Sequence, residues 1–286
     1  MAVDDEAGEQ RYIAFYTSPD LKHWTYQSRI EGYYECPELF ALQVDGDPRQ
    51  VKWVVYAADG SYAVGRFDGR VFHPETAKLP FNRGNCFYAS QTFSDIPGAD
   101  GRRIQMSWGR VDLPGMPFNQ MMDFPVELTL RTTDEGVRLY AEPVRELAAL
   151  RGVTRLWRDL ELRPGENPLA GSEGELWELE VEFDPAGAAE VEVAAGSTAV
   201  IYDGRAGLLR CGDQQAPLRP VAGAVRLHLL IDRVSIEIFA NGGQVYMPMG
   251  RSPGERGEGL ALHSRGGTAQ VRVLRRCALR SSWPAG

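Results

Sequence analysis

The run Tyr33-Tyr34-Glu35-Cys36-Pro37-Glu38-Leu39-Phe40 sets a carboxylic acid among aromatic rings, just before a proline-led apolar stretch. A carboxyl against ring faces in a partly dry pocket has its charged form disfavoured, so its pKa rises and it can hold a proton near neutral pH. Glu35 is therefore a candidate proton donor to a leaving-group oxygen. The same residues equally fit a solvated loop leading into a strand, because a perturbed acid is only a statistical sign of function. Glu38 lies three residues on, along the outgoing strand, where alternation points it to the opposite face. It reads as a solvated or packing carboxylate. Asp59 and Asp68 stand beside glycines, which is ordinary turn chemistry.

Other chemistries find little support. The cysteines Cys36, Cys86, Cys211 and Cys277 are far apart and lack both CxxC and zinc-ligand spacing, so free thiols are expected. His23, His73, His228 and His263 form no ligand cluster in the sequence and read as surface or packing residues. P-loop, dinucleotide and GxSxG motifs are missing. The expectation is no metal and no cofactor. A net charge of -8 argues against a phosphate-neutralising nucleic-acid surface. No apolar run is long enough to cross a bilayer, and no basic segment followed by an apolar core opens the chain. No membrane partner is expected, and the cytoplasm is the default location.

The elements that must position Glu35 are strands. At 286 residues, with 43% hydrophobic and 24% charged side chains, the chain can build a sizeable core in one or two domains. Residues 52–57 and 62–67 flank Asp59-Gly60, a hairpin signal. Val126, Leu128 and Leu130 alternate with polar residues before the Asp134-Glu135-Gly136 turn and the returning Val137-Arg138-Leu139. Such short strands between Gly and Pro turns fit propeller blades, about three blades' worth over residues 1–140. Glu142-Pro143 leads a plausible helical linker that Gly152 stops. Beyond it, Trp177, Leu179, Val181 and Phe183 alternate with Glu178, Glu180 and Glu182, giving one apolar and one acidic face. Val191, Val193, Leu227, Leu229 and Ile231 continue that rhythm towards a β-sandwich. The expected organisation is all-β: a partial propeller over 1–141, a linker helix over 142–153 and a C-terminal sandwich over 154–286.

Landmarks along nearly the whole chain resemble glycoside hydrolase family 32, the β-fructosidases. Glu35-Cys36-Pro37 resembles the family's acid/base motif. Tyr16-Thr17-Ser18-Pro19-Asp20-Leu21-Lys22-His23-Trp24 is similar to the strand and turn before it, and Phe87-Tyr88-Ala89-Ser90-Gln91 to the Phe-Tyr-Ala-x-Gln segment after it. Ser107-Trp108-Gly109-Arg110 and residues 116–130 resemble later blade strands, and Asp232-Arg233-Val234-Ser235-Ile236-Glu237-Ile238-Phe239 the C-terminal sandwich. The resemblance implies a five-bladed propeller plus sandwich, and retaining hydrolysis of β-fructosyl bonds in sucrose, inulin or levan. It implies Glu35 as acid/base, with Cys36, Phe87, Tyr88, Gln91 and Trp108 near the sugar, rings stacking and the amide bonding hydroxyls. For those rings, core packing is the competing explanation.

The family's nucleophile motif, Trp-Met-Asn-Asp-Pro-Asn-Gly, and its Arg-Asp-Pro motif have no counterpart here. Asn82 stands where many relatives carry Asp, and Cys86 where Asp or Ser is common. Met1-Ala2-Val3 resembles the tail of a second-blade strand, so an internal start, a truncated gene or half of a split protein is expected. Remaining blades would then expose strand edges, which are templates for association. A homo-oligomer or a complementing chain on the open propeller edge is expected beside the fructose-containing substrate; the other expectation is a non-catalytic fructan-binding remnant.

Overall fold

A computed structural model describes residues 1–5, 8, 10–251 and 259–282. Strand accounts for 58% and helix for 2%, so the chain is all-β. Two compact units form. One comprises Met1–Asn82, Phe87–Trp108 and Phe124–Tyr140, and the other Arg83–Cys86, Gly109–Asp123 and Ala141–Gly286.

In the first unit, β1 (Ala2–Asp5), β2 (Gln10–Thr17) and β3 (Thr25–Glu31) make a three-stranded antiparallel sheet. Next come β4 (Glu38–Val44), β5 (Asp47–Tyr56), β6 (Ser61–Phe67), β7 (Phe72–Pro74) and β8 (Leu79–Pro80). They form a meander in which β7 and β8 both pair with β6. β9 (Phe87–Thr92) pairs with β10 (Arg103–Gly109); β11 (Met121–Met122) is short; β12 (Val126–Thr133) pairs with β10 and with β13 (Gly136–Pro143). These are the blades of a partial propeller. Apolar side chains between the sheets, Ile13, Tyr33, Val55, Ala57, Ala63 and Phe72, form their core. Both expected hairpins are present: Tyr56 faces Tyr62 across Asp59-Gly60, and β12 returns as β13.

A 3-10 helix occupies Arg145–Leu150, so the linker helix expected over 142–153 is shorter and tighter than its sequence implied. Strand pairing wins at both ends: β13 runs to Pro143, and β14 (Arg151–Leu162) opens with Arg151 opposite Leu279. Six residues with no side-chain cap cannot recover the cost of nucleating an α-helix.

The remaining strands are β15 (Trp177–Asp184), β16 (Glu190–Ala195), β17 (Thr198–Asp203), β18 (Leu208–Cys211) and β19 (Gln214–Pro217). They continue with β20 (Val225–Ile231), β21 (Ser235–Ala240), β22 (Val245–Gly250), β23 (Leu260–Arg265) and β24 (Ala269–Leu279). Five of them join β14 in a six-stranded sheet of order β14-β24-β15-β20-β21-β22, and the other five form a second in the order β19-β18-β17-β16-β23. Their apolar faces make one core, with Phe183 and Tyr202 edge to face at 5.8 Å. This is the expected C-terminal sandwich.

The acidic face of β15 departs from expectation. Glu178 is 2% exposed, because Arg151, Arg275 and His228 from three neighbouring strands converge on it. His228, expected to stand apart, lies between Glu178 and Glu180, and these three bring potential ligand atoms within 4.8 Å of one another. The two guanidinium groups already neutralise both carboxylates, so the arrangement is an ion-pair network.

Candidate active site

Glu35 sits in the reversal between β3 and β4. Glu35 and Cys36 adopt φ of 52° and 38°, and Ala89 on β9 has φ of 46°. Left-handed backbone at non-glycine residues persists only where the surroundings over-determine it, and it concentrates at functional sites. The surroundings here are explicit. Ala58 N donates to Glu35 O at 3.2 Å, and Ala89 N donates to Ala58 O at 2.8 Å. The turn after β5 thus clips the acid loop to the strand that carries Tyr88. That turn is itself fixed: Asp59 Oδ1 accepts from Ser61 N at 2.8 Å, and Gly60 has φ of 78°. That left-handed backbone favours glycine, and a Cβ on Gly60 would also lie 2.5 Å from Asn82 Nδ2, which would have to shift.

The Tyr88 hydroxyl donates to Glu35 Oε2, and the hydroxyl of the adjacent Tyr34 also favours the charged carboxylate. These hydroxyls, Tyr88 first and then Tyr34, hold the Glu35 pKa below the usual carboxylate range; burial pushes the other way but less. The expectation of a raised pKa is corrected. The phenols favour the charged form more than the partial burial of the side chain opposes it. Among the described residues, no carboxylate is a group that shifts it. A retaining pair would supply one, at roughly 5 Å.

The expected substrate residues divide. Trp108 is 40% exposed and meets the Tyr88 ring edge to face at 6.1 Å, so the two form an open aromatic wall beside Glu35. Gln91 is exposed, and its Nε2 donates to Ser90 O at 3.1 Å and to Cys36 O at 3.5 Å. Cys36 is held by its main chain; burial, then Glu35 and Glu38, push its thiol pKa up, so it stays protonated. Phe87 is the exception. It is 6% exposed and packs edge to face on Phe81 at 5.8 Å, on the strand face opposite Tyr88. Its ring belongs to the core.

Two contributors lacked a signal in the sequence. Tyr34 was visible only as a ring, whereas its hydroxyl is what favours the Glu35 charge. Glu38 is no solvated carboxylate: it accepts from Thr92 N at 2.9 and 3.0 Å and from Thr92 Oγ1 at 2.8 Å. Arg103 Nη1 donates to the same Thr92 hydroxyl at 3.3 Å. This clamp ties the start of β4 to the end of β9, so the strands bearing Glu35 and Tyr88 are fixed on both sides. Replacing Tyr88 with Phe should raise the Glu35 pKa towards the ordinary value of about 4.3. Carboxyl carbon NMR titration reads this directly, and an unchanged value would show that the phenol does not stabilise the charge.

Comparison with known proteins bears on the family and the fold. Residues 1–143 match the glycosyl hydrolases family 32 N-terminal domain, and residues 146–277 match the glycosyl hydrolases family 32 C terminal. A levanase of Bacillus subtilis (strain 168) is 35% identical over 320 aligned positions, covering 95% of this chain and 47% of the levanase. A levanase of Bacillus sp. (strain L7) is 29% identical, with 95% of this chain and 35% of that protein covered. The chain therefore spans half the length of these relatives or less. In structure, exo-inulinase from Aspergillus awamori superposes with a TM-score of 0.82 at 21% identity, covering 99% of this chain and 67% of that one. A fructofuranosidase variant from Schwanniomyces occidentalis complexed with fructosylnystose gives 0.82 at 18% identity, covering 98% and 69%. At such identities the superpositions speak for the fold alone, whereas the sequence matches over both units place the chain in glycosyl hydrolase family 32.

Proposed function

We propose that this chain carries the acid/base half of a β-fructofuranosidase-type hydrolase acting on terminal β-D-fructosyl bonds of sucrose, inulin or levan. The observation that supports this most is the half-buried Glu35 carboxyl, held by the Tyr88 hydroxyl beside the open Trp108 ring. In a retaining mechanism, Glu35 protonates the departing glycosidic oxygen while a second carboxylate attacks the anomeric carbon. Glu35 then takes a proton from the water that releases fructose, with configuration retained.

The second carboxylate is not encoded in this chain in the reading we favour. It would do more than attack. A negative charge about 5 Å away disfavours ionisation of Glu35, so a partner bringing it would also reload the acid with its proton. Among the described residues β1 is an edge strand of its sheet, and there such a chain, a second copy or a complementing polypeptide, would pair. Met1 and Ala14 exchange both backbone bonds at 2.8 Å, so by alternation Ala2 and Asp4 turn their N–H and C=O groups outward.

A second reading has an observation in its favour: with its lowered pKa and no carboxylate acting on it among the described residues, Glu35 alone suits a non-catalytic fructan-binding or structural remnant. Incubating the purified chain with sucrose, inulin and levan and assaying released fructose separates the two. Release supports the hydrolase. Retention on immobilised levan without release supports the remnant.

A further inference from the structure

The two edges of the six-stranded sheet are treated differently. On one side, β22 is closed by the segment before β9: Arg83 N donates to Tyr246 O at 2.8 Å, Asn85 N to Pro248 O at 3.1 Å, and Gly250 N to Asn85 Oδ1 at 2.9 Å. Approach there is so close that a Cβ on Gly84 would lie 1.8 Å from Pro248 O. On the other side, among the described residues, β14 pairs only with β24 and leaves its outer edge open. At 12 residues it is the longest strand described, and most of it is exposed, including Val153 at 72% and Leu156 at 49%. Its register with β24 keeps one frame from Thr154 to Leu162, with Asp159, at φ of 52°, the one residue in that span without a paired partner. Open edges are normally kept short or blunted with Pro, bulges or charged side chains; β14 is long and has no Lys or Pro, and its protection rests on five charged residues.

The charges on this edge are arranged by sign. Arg151, Arg155 and Arg158 occupy the first part of β14, and Asp159 and Glu161 the last. Arg151 and Glu161 have partners within the chain. Arg155, Arg158 and Asp159 make no ion pair among the described residues, and Arg155 stands directly opposite Arg276 on β24, a like-charge pair that favours a counter-charge from outside. An antiparallel strand of the same sequence supplies one. With the two-fold axis at Trp157, Arg155 of each copy faces Asp159 of the other, Val153 faces Glu161, and Arg158 faces Leu156. A shift that puts the axis at Arg158 would instead set Arg158 against itself.

We propose that β14 is a self-association edge, on which a second copy of this chain pairs antiparallel about Trp157 and the two six-stranded sheets join into one. The contact is isologous, so each dimer gains two Arg155–Asp159 pairs and a ladder of backbone hydrogen bonds. It does not depend on the reading of Glu35.

Light scattering of the full chain across a concentration series tests this. The unaltered protein should run as a dimer. Arg155→Glu and Asp159→Arg each place like charges opposite one another twice per dimer and should weaken association about tenfold or more. Both side chains are exposed, so the fold should be unaffected, which circular dichroism checks. An equimolar mixture of the two variants restores opposite charges across the contact and should recover the dimer mass, and β14 amides should exchange faster on dilution. A monomer at every concentration overturns the proposal, as does a dimer indifferent to both substitutions or β14 amides whose exchange ignores dilution.

Discussion

Glu35→Gln is expected to lower fructose release by about 10²- to 10⁴-fold, the usual contribution of a positioned general acid/base. The amide keeps the size of the carboxyl and can still accept from Tyr88, so the loop and its strained backbone should persist. What it lacks is a proton to deliver to the departing oxygen and the basicity to activate water. The loss should therefore fall on kcat, with little change in KM. A substrate with a good leaving group needs less protonation and should be impaired less in the glycosylation step. The pH profile carries a second expectation. Since the phenols hold Glu35 below the usual range, the protonated form needed for the first step is depleted as pH rises through that low value. Any release by the isolated chain should fall on the alkaline side of an unusually acidic limb, and a partner that adds a carboxylate should move the limb upward. Equal release by the variant and the unaltered chain would remove Glu35 from the mechanism.

Legibility in the sequence followed the range of the interactions. Hairpins such as Asp59-Gly60 were readable because turn chemistry is local, and β15 was readable because its alternation has period two. Glu35 stood out by its neighbours. Its charge state did not, because that depends on Tyr88, 53 residues away, presenting a hydroxyl rather than a ring face. Phe87 and Tyr88 share a motif yet part company once β9 is pleated, one ring in the core and one at the site. Glu38 and Thr92, 54 residues apart, meet only because β4 and β9 belong to packed blades. The shortened linker shows the same thing in reverse: a local helical signal yielded to β14, whose partner β24 lies at the far end of the chain.

Glu178→Gln should destabilise the sandwich by about 3 kcal/mol, the lower end of the cost of breaking a buried ion pair. Its side chain is 3% exposed, with Arg151 Nη2 at 2.7 Å, His228 Nε2 at 2.9 Å and Arg275 at 3.3 Å. The substitution leaves Arg151 and Arg275 without their shared anion, but Arg275 keeps Glu180 and Arg151 is 36% exposed, which limits the penalty. Burial alone would raise the Glu178 pKa; the Arg151 hydrogen bonds, His228 and Arg275 outweigh it and hold it well below the usual range. A carboxyl depressed on folding contributes stability that is full above its unfolded pKa of about 4.3 and is lost as pH falls through its folded value. The unaltered sandwich should thus lose stability progressively below about pH 4, and the Gln variant should lack that share of the acid slope. Thermal unfolding at neutral pH should show a drop of about 6 °C or more, at about 2–4 °C per kcal/mol for a chain of this size. Glu180→Gln serves as the control: with 38% of the side chain exposed, it should cost no more than about 1 kcal/mol. If the two variants melt together, or if the Glu178 variant keeps the full acid slope, the buried carboxylate is not what anchors β14 and β24 to β15.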